Sequence, residues 1–330
     1  MIRVAVDAMG GDNAPDEIVA GALDAAFESI QPILCGPPGL DTGGLELIEA
    51  PQVIAMDEKP AEAVRGKPDS SLVACCRAVA EGKADVALSA GNTGAMLAAS
   101  LVHIRRLSGV RRPAIAVVLP SQAGPSVLLD AGANAEARPE HLLQFGQMGA
   151  IFAKEVIDIP RPQVRLLSIG EEPEKGSKLT LEAYELLASA AGLDFRGNVE
   201  SRDLLKGAGD VIVTDGFTGN VCLKLLEGTI KTLLDALRDE ITSTARGKLG
   251  GFLIQPAARS LRARLDPDTY GGAYMLGLRG LVVIAHGNSN RRAISNAIRL
   301  AARGAEHDVV RRLQESLEER VVASARFQAP

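Results

Sequence analysis

Two stretches of this sequence place groups suited to anion chemistry at matching intervals. Asp85-Val86-Ala87-Leu88-Ser89-Ala90-Gly91-Asn92-Thr93-Gly94 and Asp210-Val211-Ile212-Val213-Thr214-Asp215-Gly216-Phe217-Thr218-Gly219 share Asp-Val, a hydroxyl residue, a Gly and a Thr-Gly. Gly82 and Gly207 each stand three residues before the Asp. Each stretch reads as a short apolar strand, a glycine turn and a helix. Such a corner leaves the first backbone N–H groups of the helix unpaired and turns the positive end of its dipole outward, which suits a phosphate or a carboxylate. Ser89, Asn92 and Thr93 add side-chain donors to the first corner. The plainer alternative is a pair of tight turns in which glycine serves backbone geometry alone.

Other strand ends carry similar groups. Asp7-Ala8-Met9-Gly10-Gly11-Asp12 sets two carboxylates beside a glycine pair, with Asp12 or Asn13 available to cap the following helix. Lys175 precedes Gly176 and a helix start near Ser177. A cation there opposes the helix dipole unless an anion joins it. Asp215 and Asn220 belong to the second corner, and His286-Gly287-Asn288-Ser289-Asn290 is a further polar strand end. Arg111 and Arg112 could fork around an anion or stand as exposed charge. The sequence has no G-x-G-x-x-G, Walker A, H-E-x-x-H or G-x-S-x-G pattern. No nucleophile is evidently paired with a histidine. This inventory suits a reaction whose substrate brings its own nucleophile, such as inorganic phosphate attacking an activated acyl group.

The elements that must position these groups alternate. Strands are expected over 2–8, 32–36, 52–56, 85–90, 114–119, 126–130, 163–168, 210–213 and 281–285. Helices are expected over 16–28, 71–81, 95–107, 139–154, 218–243 and 305–323, with others starting near 177 and 293. This is the pattern of an α/β protein with an open parallel sheet, in which ligands bind beyond the carboxyl ends of the strands. Leu223, Leu226, Ile230, Leu233, Leu234, Leu237 and Ile241 lie at the spacing of a buried helix face. At 330 residues the chain has room for two domains or one large unit. Its 46% hydrophobic and 3% aromatic content favours buried parallel strands over base-stacking surfaces. A net charge of −5 gives no general attraction to nucleic acid. The cysteines sit in apolar runs without C-x-x-C spacing, which argues against a zinc site or a disulfide framework and for a reducing cytoplasm. Met1 leads straight into a strand, so no signal peptide is expected, and no apolar run reaches the roughly 18 residues of a membrane span.

Residues 246–265 fit this scheme least. They contain Arg246, Lys248, Arg259, Arg262 and Arg264 but no acidic residue. Between them, Leu249-Gly250-Gly251-Phe252-Leu253-Ile254 reads as a compact apolar turn, followed by Leu261 and Leu265. An apolar tip ringed by cations suits a membrane surface. It suits an acidic protein partner or a subunit interface equally.

Five motifs in order carry a family resemblance: Asp7 to Asp12, Ser89 to Ala95, Gly170-Glu171-Glu172 with Lys175-Gly176, Thr214 to Asn220, and Tyr270-Gly271-Gly272-Ala273. From end to end the chain resembles the bacterial phosphate acyltransferases that make acyl phosphate from acyl-acyl-carrier-protein in phospholipid synthesis. The resemblance implies one three-layer α/β/α Rossmann-like domain over 1–330, akin to isopropylmalate dehydrogenases and phosphotransacetylases, with a protruding helical tip at about 243–265. It implies a cytoplasmic homodimer without metal or other cofactor, and without nucleic acid as a partner. It further implies peripheral association with the inner face of the membrane, near the downstream glycerol-3-phosphate acyltransferase. By motif, Lys175 resembles the cation that holds phosphate or the thioester oxygen, and Asp215 and Asn220 the residues that orient phosphate and carbonyl. Asp7, Gly10, Gly11, Asp12, Ser89, Gly91, Asn92, Thr93, Gly94, Gly216, Thr218 and His286 would line the phosphate and substrate site. Arg246, Lys248, Phe252, Leu253, Ile254, Arg259, Leu261 and Arg262 would meet membrane or carrier protein. The rival readings are a coenzyme A-dependent phosphotransacetylase, a non-catalytic phospholigand-binding protein and, on fold analogy alone, a nicotinamide dehydrogenase.

Overall fold

The computed structural model describes residues 1–27, 29–265 and 271–317, with the side chains of 262, 263 and 265 excepted. Their backbone forms one eleven-stranded sheet. Its strands are β1 (Ile2–Asp7), β2 (Ile30–Gly36), β3 (Glu46–Glu49), β4 (Val86–Ser89), β5 (Ala114–Ser121), β6 (Gly124–Leu129), β7 (Gln163–Ser168), β8 (Asp194–Glu200), β9 (Val211–Val213), β10 (Ala273–Leu276) and β11 (Leu281–Ile284). The helices are α1 (Asp16–Ala25), α2 (Pro60–Gly66), α3 (Ser71–Ala80), α4 (Thr93–His103), α5 (Pro139–Glu155), α6 (Lys178–Ala188), α7 (Gly216–Thr242), α8 (Ala245–Leu265) and α9 (Arg291–Glu306).

In space the strands run β3-β2-β1-β4-β11-β10-β5-β6-β9-β7-β8. The first five are mutually parallel, as are the last four. Antiparallel pairings of β10 with β11 and β5, and of β5 with β6, join the two blocks. The expected parallel sheet is therefore correct within each block and wrong at the join. Val4 and Val6 pack on one face with Ile18, Ala22, Phe145 and Ile298, and Ala5 and Ala87 on the other with Leu72, Cys75 and Met96. Helices on both faces bury the central strands completely, which is why those strands read as unbroken apolar runs.

The internal echo has a structural basis. Arg3 N donates to Asp85 Oδ2 at 2.7 Å, and Gln163 N donates to Asp210 Oδ2 at 2.7 Å. Each Asp thus ties its strand to the entry of the neighbouring one. Gly82 and Gly207 both take left-handed backbone, at φ 70° and 81°. The copies then diverge, because Asn92 caps α4 while Asp215, two places earlier in the repeat, caps α7.

Several expectations need correction. No strand forms over 52–56, where Gln52 makes only an isolated bridge to Ser70; the third strand is β3, an edge strand with Glu46 and Glu49. Strands β8 and β10 were not expected. Pro15 occupies the N-cap of α1 without a side-chain bond, so neither Asp12 nor Asn13 is the cap. Residues 249–254 are not a turn but lie inside the continuous helix α8. On α7 only Leu223 of the expected face is buried, and Leu233 and Leu237 are exposed. The terminal helix divides after Glu306, and 309–317 are helical again. The expected loop at 266–270, with Tyr270, and the helix beyond 317 lie outside the described residues.

Candidate active site

The first corner is assembled from the ends of β1, β4 and β11. Asp7 closes β1 and is buried. Ser89 Oγ donates to Asp7 Oδ2 at 2.7 Å, Met9 N donates to Oδ1 at 3.3 Å, and Gly91 N donates to Ser89 Oγ at 2.9 Å. Burial pushes the Asp7 carboxyl above its ordinary 3.8, against the opposing pull of hydrogen bonds from Ser71, Ser89 and Met9. A Cβ on Gly10 would lie 2.4 Å from Asp7 Oδ2 and 2.9 Å from Gly91 N, so this approach of two loops requires glycine. Asp12 N donates to Gly287 O at 2.7 Å, and Ala285 N to Ser89 O at 3.0 Å, which draws the end of β11 into the corner.

Asn92 spends its side chain on structure. Its Oδ1 accepts Ala95 N at 3.0 Å, and its Nδ2 donates to Met56 O and Glu58 O at 3.1 and 3.0 Å. The anion donors left at this corner are the first-turn N–H groups of Thr93 and Gly94, which have no helical acceptor. Thr93 is exposed and Gly94 half-buried.

The second corner has a counterpart of Asp7 at the end of the strand expected over 126–130. Asp130, fully buried after β6, accepts Ile115 N, Gly132 N and Ala133 N on Oδ1, and Asn134 N and Nδ2 on Oδ2. Asn134 O in turn accepts Gly216 N at 2.8 Å. A Cβ on Gly216 would lie 2.7 Å from Asn134 N and from Asp130 Oδ2. Asp215 caps α7 by accepting Thr218 N at 2.9 Å, and remains half-buried. Asn220, one turn along, is exposed beside Gly132.

Lys175 lies on the loop after β7, and β7 pairs with β9, so this loop leaves the sheet beside the Asp215 corner. Lys175 is exposed, with its backbone held by Glu172 O and Ser168 Oγ. His286, at the end of β11, places Nε2 3.4 Å from Glu227 Oε1 on α7. The strand end of the first corner thereby meets the helix that begins at the second. No described contact joins Lys175 to Asp7 or Ser89. Arg111 has Glu140 at 3.9 Å in an exposed pair, in keeping with the exposed-charge alternative.

Among the described residues no nucleophile paired with a base emerges. Cys75 and Cys76 lie buried behind Asp7, and burial pushes the Cys76 thiol up to about 12. Among the described residues no group of His, Cys, Asp or Glu is arranged to hold a metal. The arrangement offers first-turn N–H groups, one exposed lysine and oriented carboxylate and amide groups. It can bind an oxyanion and position it against a carbonyl. Sequence reasoning missed Asp130, Asn134, Ser168 and Glu227. For Asp130 and Asn134 the signal was present, since their strand end repeats the composition of the first.

The comparisons agree with this chemistry. The family described as fatty acid synthesis protein matches residues 2–312. The phosphate acyltransferase of Heliobacterium modesticaldum is 47% identical over 328 residues, covering 96% of this chain and 98% of that protein. The phosphate acyltransferase of Staphylococcus aureus is 43% identical over 325 residues, covering 97% and 99%. Among solved structures, a branched-chain phosphotransacylase from Enterococcus faecalis superposes with a TM-score of 0.60 at 17% identity, covering 93% and 100%. A 4-hydroxythreonine-4-phosphate dehydrogenase from Klebsiella pneumoniae gives 0.52 at 14%, covering 92% and 99%. At these identities the structures speak for the fold alone. Fold and relatives together define an acyltransferase on a three-layer α/β/α frame. The chain belongs to the phosphate acyltransferase family.

Proposed function

We propose that the protein transfers the acyl group of a long-chain acyl-acyl-carrier-protein to inorganic phosphate, the first step towards phosphatidic acid in phospholipid synthesis. The observation that carries this reading is the pair of strand-end corners, each built so closely that Gly10 and Gly216 admit no side chain. A phosphate oxygen attacks the thioester carbon, a C–O bond forms, the C–S bond breaks and the electron pair leaves on sulfur. Phosphate is largely dianionic at neutral pH, so the step needs positioning and charge stabilisation more than a strong base. Lys175 neutralises phosphate or the developing oxyanion. Asp215 and Asn220 orient phosphate and carbonyl, and the first turn of α4 supplies N–H donors. Neither metal nor other cofactor enters.

The protein works as a single-domain homodimer at the inner face of the membrane, beside the glycerol-3-phosphate acyltransferase that consumes its labile product. In support, α8 exposes Leu249, Phe252, Leu253, Ile254 and Leu261 together with Arg246, Lys248 and Arg259. No described helix is long and apolar enough to cross a membrane, so contact through this element would be peripheral. Arg262 belongs to the same stretch, but its side chain lies outside the described residues.

The test is hydroxylamine trapping of acyl phosphate from palmitoyl-acyl-carrier-protein and inorganic phosphate. Phosphate-dependent hydroxamate is expected, reduced at least about a hundredfold in Lys175→Ala. Product that survives the substitution keeps the reaction and removes Lys175 from the site. Because structural neighbours include phosphotransacetylases, acyl-coenzyme A is the comparison donor. Product with that donor alone would replace this reading.

A further inference from the structure

The loop bearing Lys175 is held from below by a residue of the neighbouring edge strand. Asn198 on β8 is 3% exposed, and its Nδ2 donates to Glu172 O at 2.8 Å. The same carbonyl accepts Lys175 N at 3.0 Å. Ser168 Oγ donates to Lys175 O at 2.9 Å. The backbone of Lys175 is therefore anchored on both sides, and its amide anchor is fixed in turn by Asn198.

A distortion of β8 puts Asn198 there. Val164 pairs with Phe195, but Leu166 pairs with Asn198, so β8 carries one extra residue opposite Arg165. Gly197 takes φ 83° within this bulge. One inserted residue switches which side chain faces a given side of a sheet. Asn198 thereby takes the position opposite Leu166 that an unbroken ladder would give to Gly197. Arg165 secures the bulge, donating from Nη1 to Arg196 O and to Asn198 O and from Nε to Ala208 O. Among the described residues the buried amide oxygen of Asn198 has no hydrogen-bond partner. A residue chosen for packing alone would not leave a buried acceptor unpaired. Among the described residues, the one hydrogen bond of this side chain is the bond its nitrogen makes to the loop.

We propose that Asn198 is a positioning residue for phosphate use, acting through Glu172 O on the placement of Lys175, with Ser168 as the second tether. The inference rests on Lys175 being the phosphate-binding cation. It predicts a defect confined to one substrate, because the carrier thioester does not depend on where this ammonium rests before phosphate binds.

The experiment is a double-mutant cycle on the full-length protein, read as KM for phosphate and KM for palmitoyl-acyl-carrier-protein in the hydroxamate assay. Asn198→Ala is expected to raise the phosphate KM about tenfold, while the thioester KM stays within about twofold. In a Lys175→Ala background the same substitution should cost nothing further, since residues acting as one unit are not additive. Ser168 is only half-buried, so Ser168→Ala keeps the test open should Asn198→Ala fail to fold. It should reproduce the phosphate-specific rise. Equal losses in both backgrounds, or parallel rises in both KM values, would overturn the positioning role while leaving Lys175 in place. Unimpaired phosphate kinetics in Lys175→Ala would instead remove Lys175 and the inference with it.

Discussion

At the scale of single residues, the first corner keeps a carboxylate where solvent does not reach. Asp7 is held at the end of β1 by Ser89 and Met9, yet its burial outweighs those bonds and raises its pKa in the folded state. The folded protein therefore binds this proton more tightly than the unfolded chain does. By linkage, the associated cost to stability is absent below the ordinary value of 3.8, grows as pH rises through the folded value, and is complete above it. Asp7→Asn keeps the shape, removes the charge, and lets Ser89 Oγ accept where it had donated. The variant should melt a few degrees higher than the parent at neutral pH, and the gain should shrink as pH falls towards 3.8. Thermal melts of both proteins across that range decide the matter. A lower melting temperature for the variant at neutral pH would mean that the hydrogen bonds, not desolvation, govern this group. Asp7 was readable from sequence because a carboxylate at a strand end beside a glycine pair has few ordinary uses. Asp130 was less readable, since its bond to Ile115 N depends on β5 and β6 pairing antiparallel.

At the scale of elements, legibility followed the continuity of each pattern. Strands β1 and β7 and helix α5 stand close to their expected bounds, because their apolar residues repeat without interruption and Pro139 opens α5 at its first position. Strand β8 was invisible because Gly197 and its bulge break the alternation that marks a strand. Gly250-Gly251 likewise suggested a turn inside what is helix α8. A Cβ on Gly251 would come within 2.7 Å of Ile241 Cγ2, so this glycine serves the close approach of α8 to α7. Helix α7 offers a direct contrast between two glycines of the same helix. A Cβ on Gly219 would lie 2.0 Å from the backbone oxygen of Asp130, an atom that cannot move aside without disturbing the second corner. Gly228 has open space around it. Gly219→Ala should therefore destabilise by about 1–3 kcal/mol, the range of overpacking in a packed interior. Gly228→Ala should stabilise by about 0.5–1 kcal/mol through helix propensity. Urea denaturation measures both. Equal effects would show that the closeness of the Asp130 corner does not constrain this helix.

At the scale of the whole molecule, charge and apolar exposure separate. The chain carries a net charge of −5, yet residues 246–265 contain only basic ionisable groups. Phe252 and Leu253 are 72% and 73% exposed on α8. Leu249, Phe252 and Leu253 fall at helical spacing on one face, with Lys248 and Arg259 flanking it, the arrangement of an interfacial helix. α8 packs on α7, and α7 leads back to the Asp215 cap, so the exposed apolar face and the second corner belong to one continuous element pair. Burying a Phe and a Leu side chain is worth roughly 1.5–3 kcal/mol each. Phe252→Glu combined with Leu253→Glu should therefore weaken cosedimentation with phosphatidylglycerol vesicles by well over about tenfold. High salt should weaken binding of the parent as well, because the flanking cations act over a Debye length. Turnover of palmitoyl-acyl-carrier-protein in vesicle-free solution separates the two partners: it should hold in the variant where α8 meets lipid and fall where the same face docks the acidic carrier. If vesicle binding survives both substitutions and the variant instead sediments as a smaller species, the exposed face of α8 is a subunit interface, and the membrane contact must be sought elsewhere on the molecule.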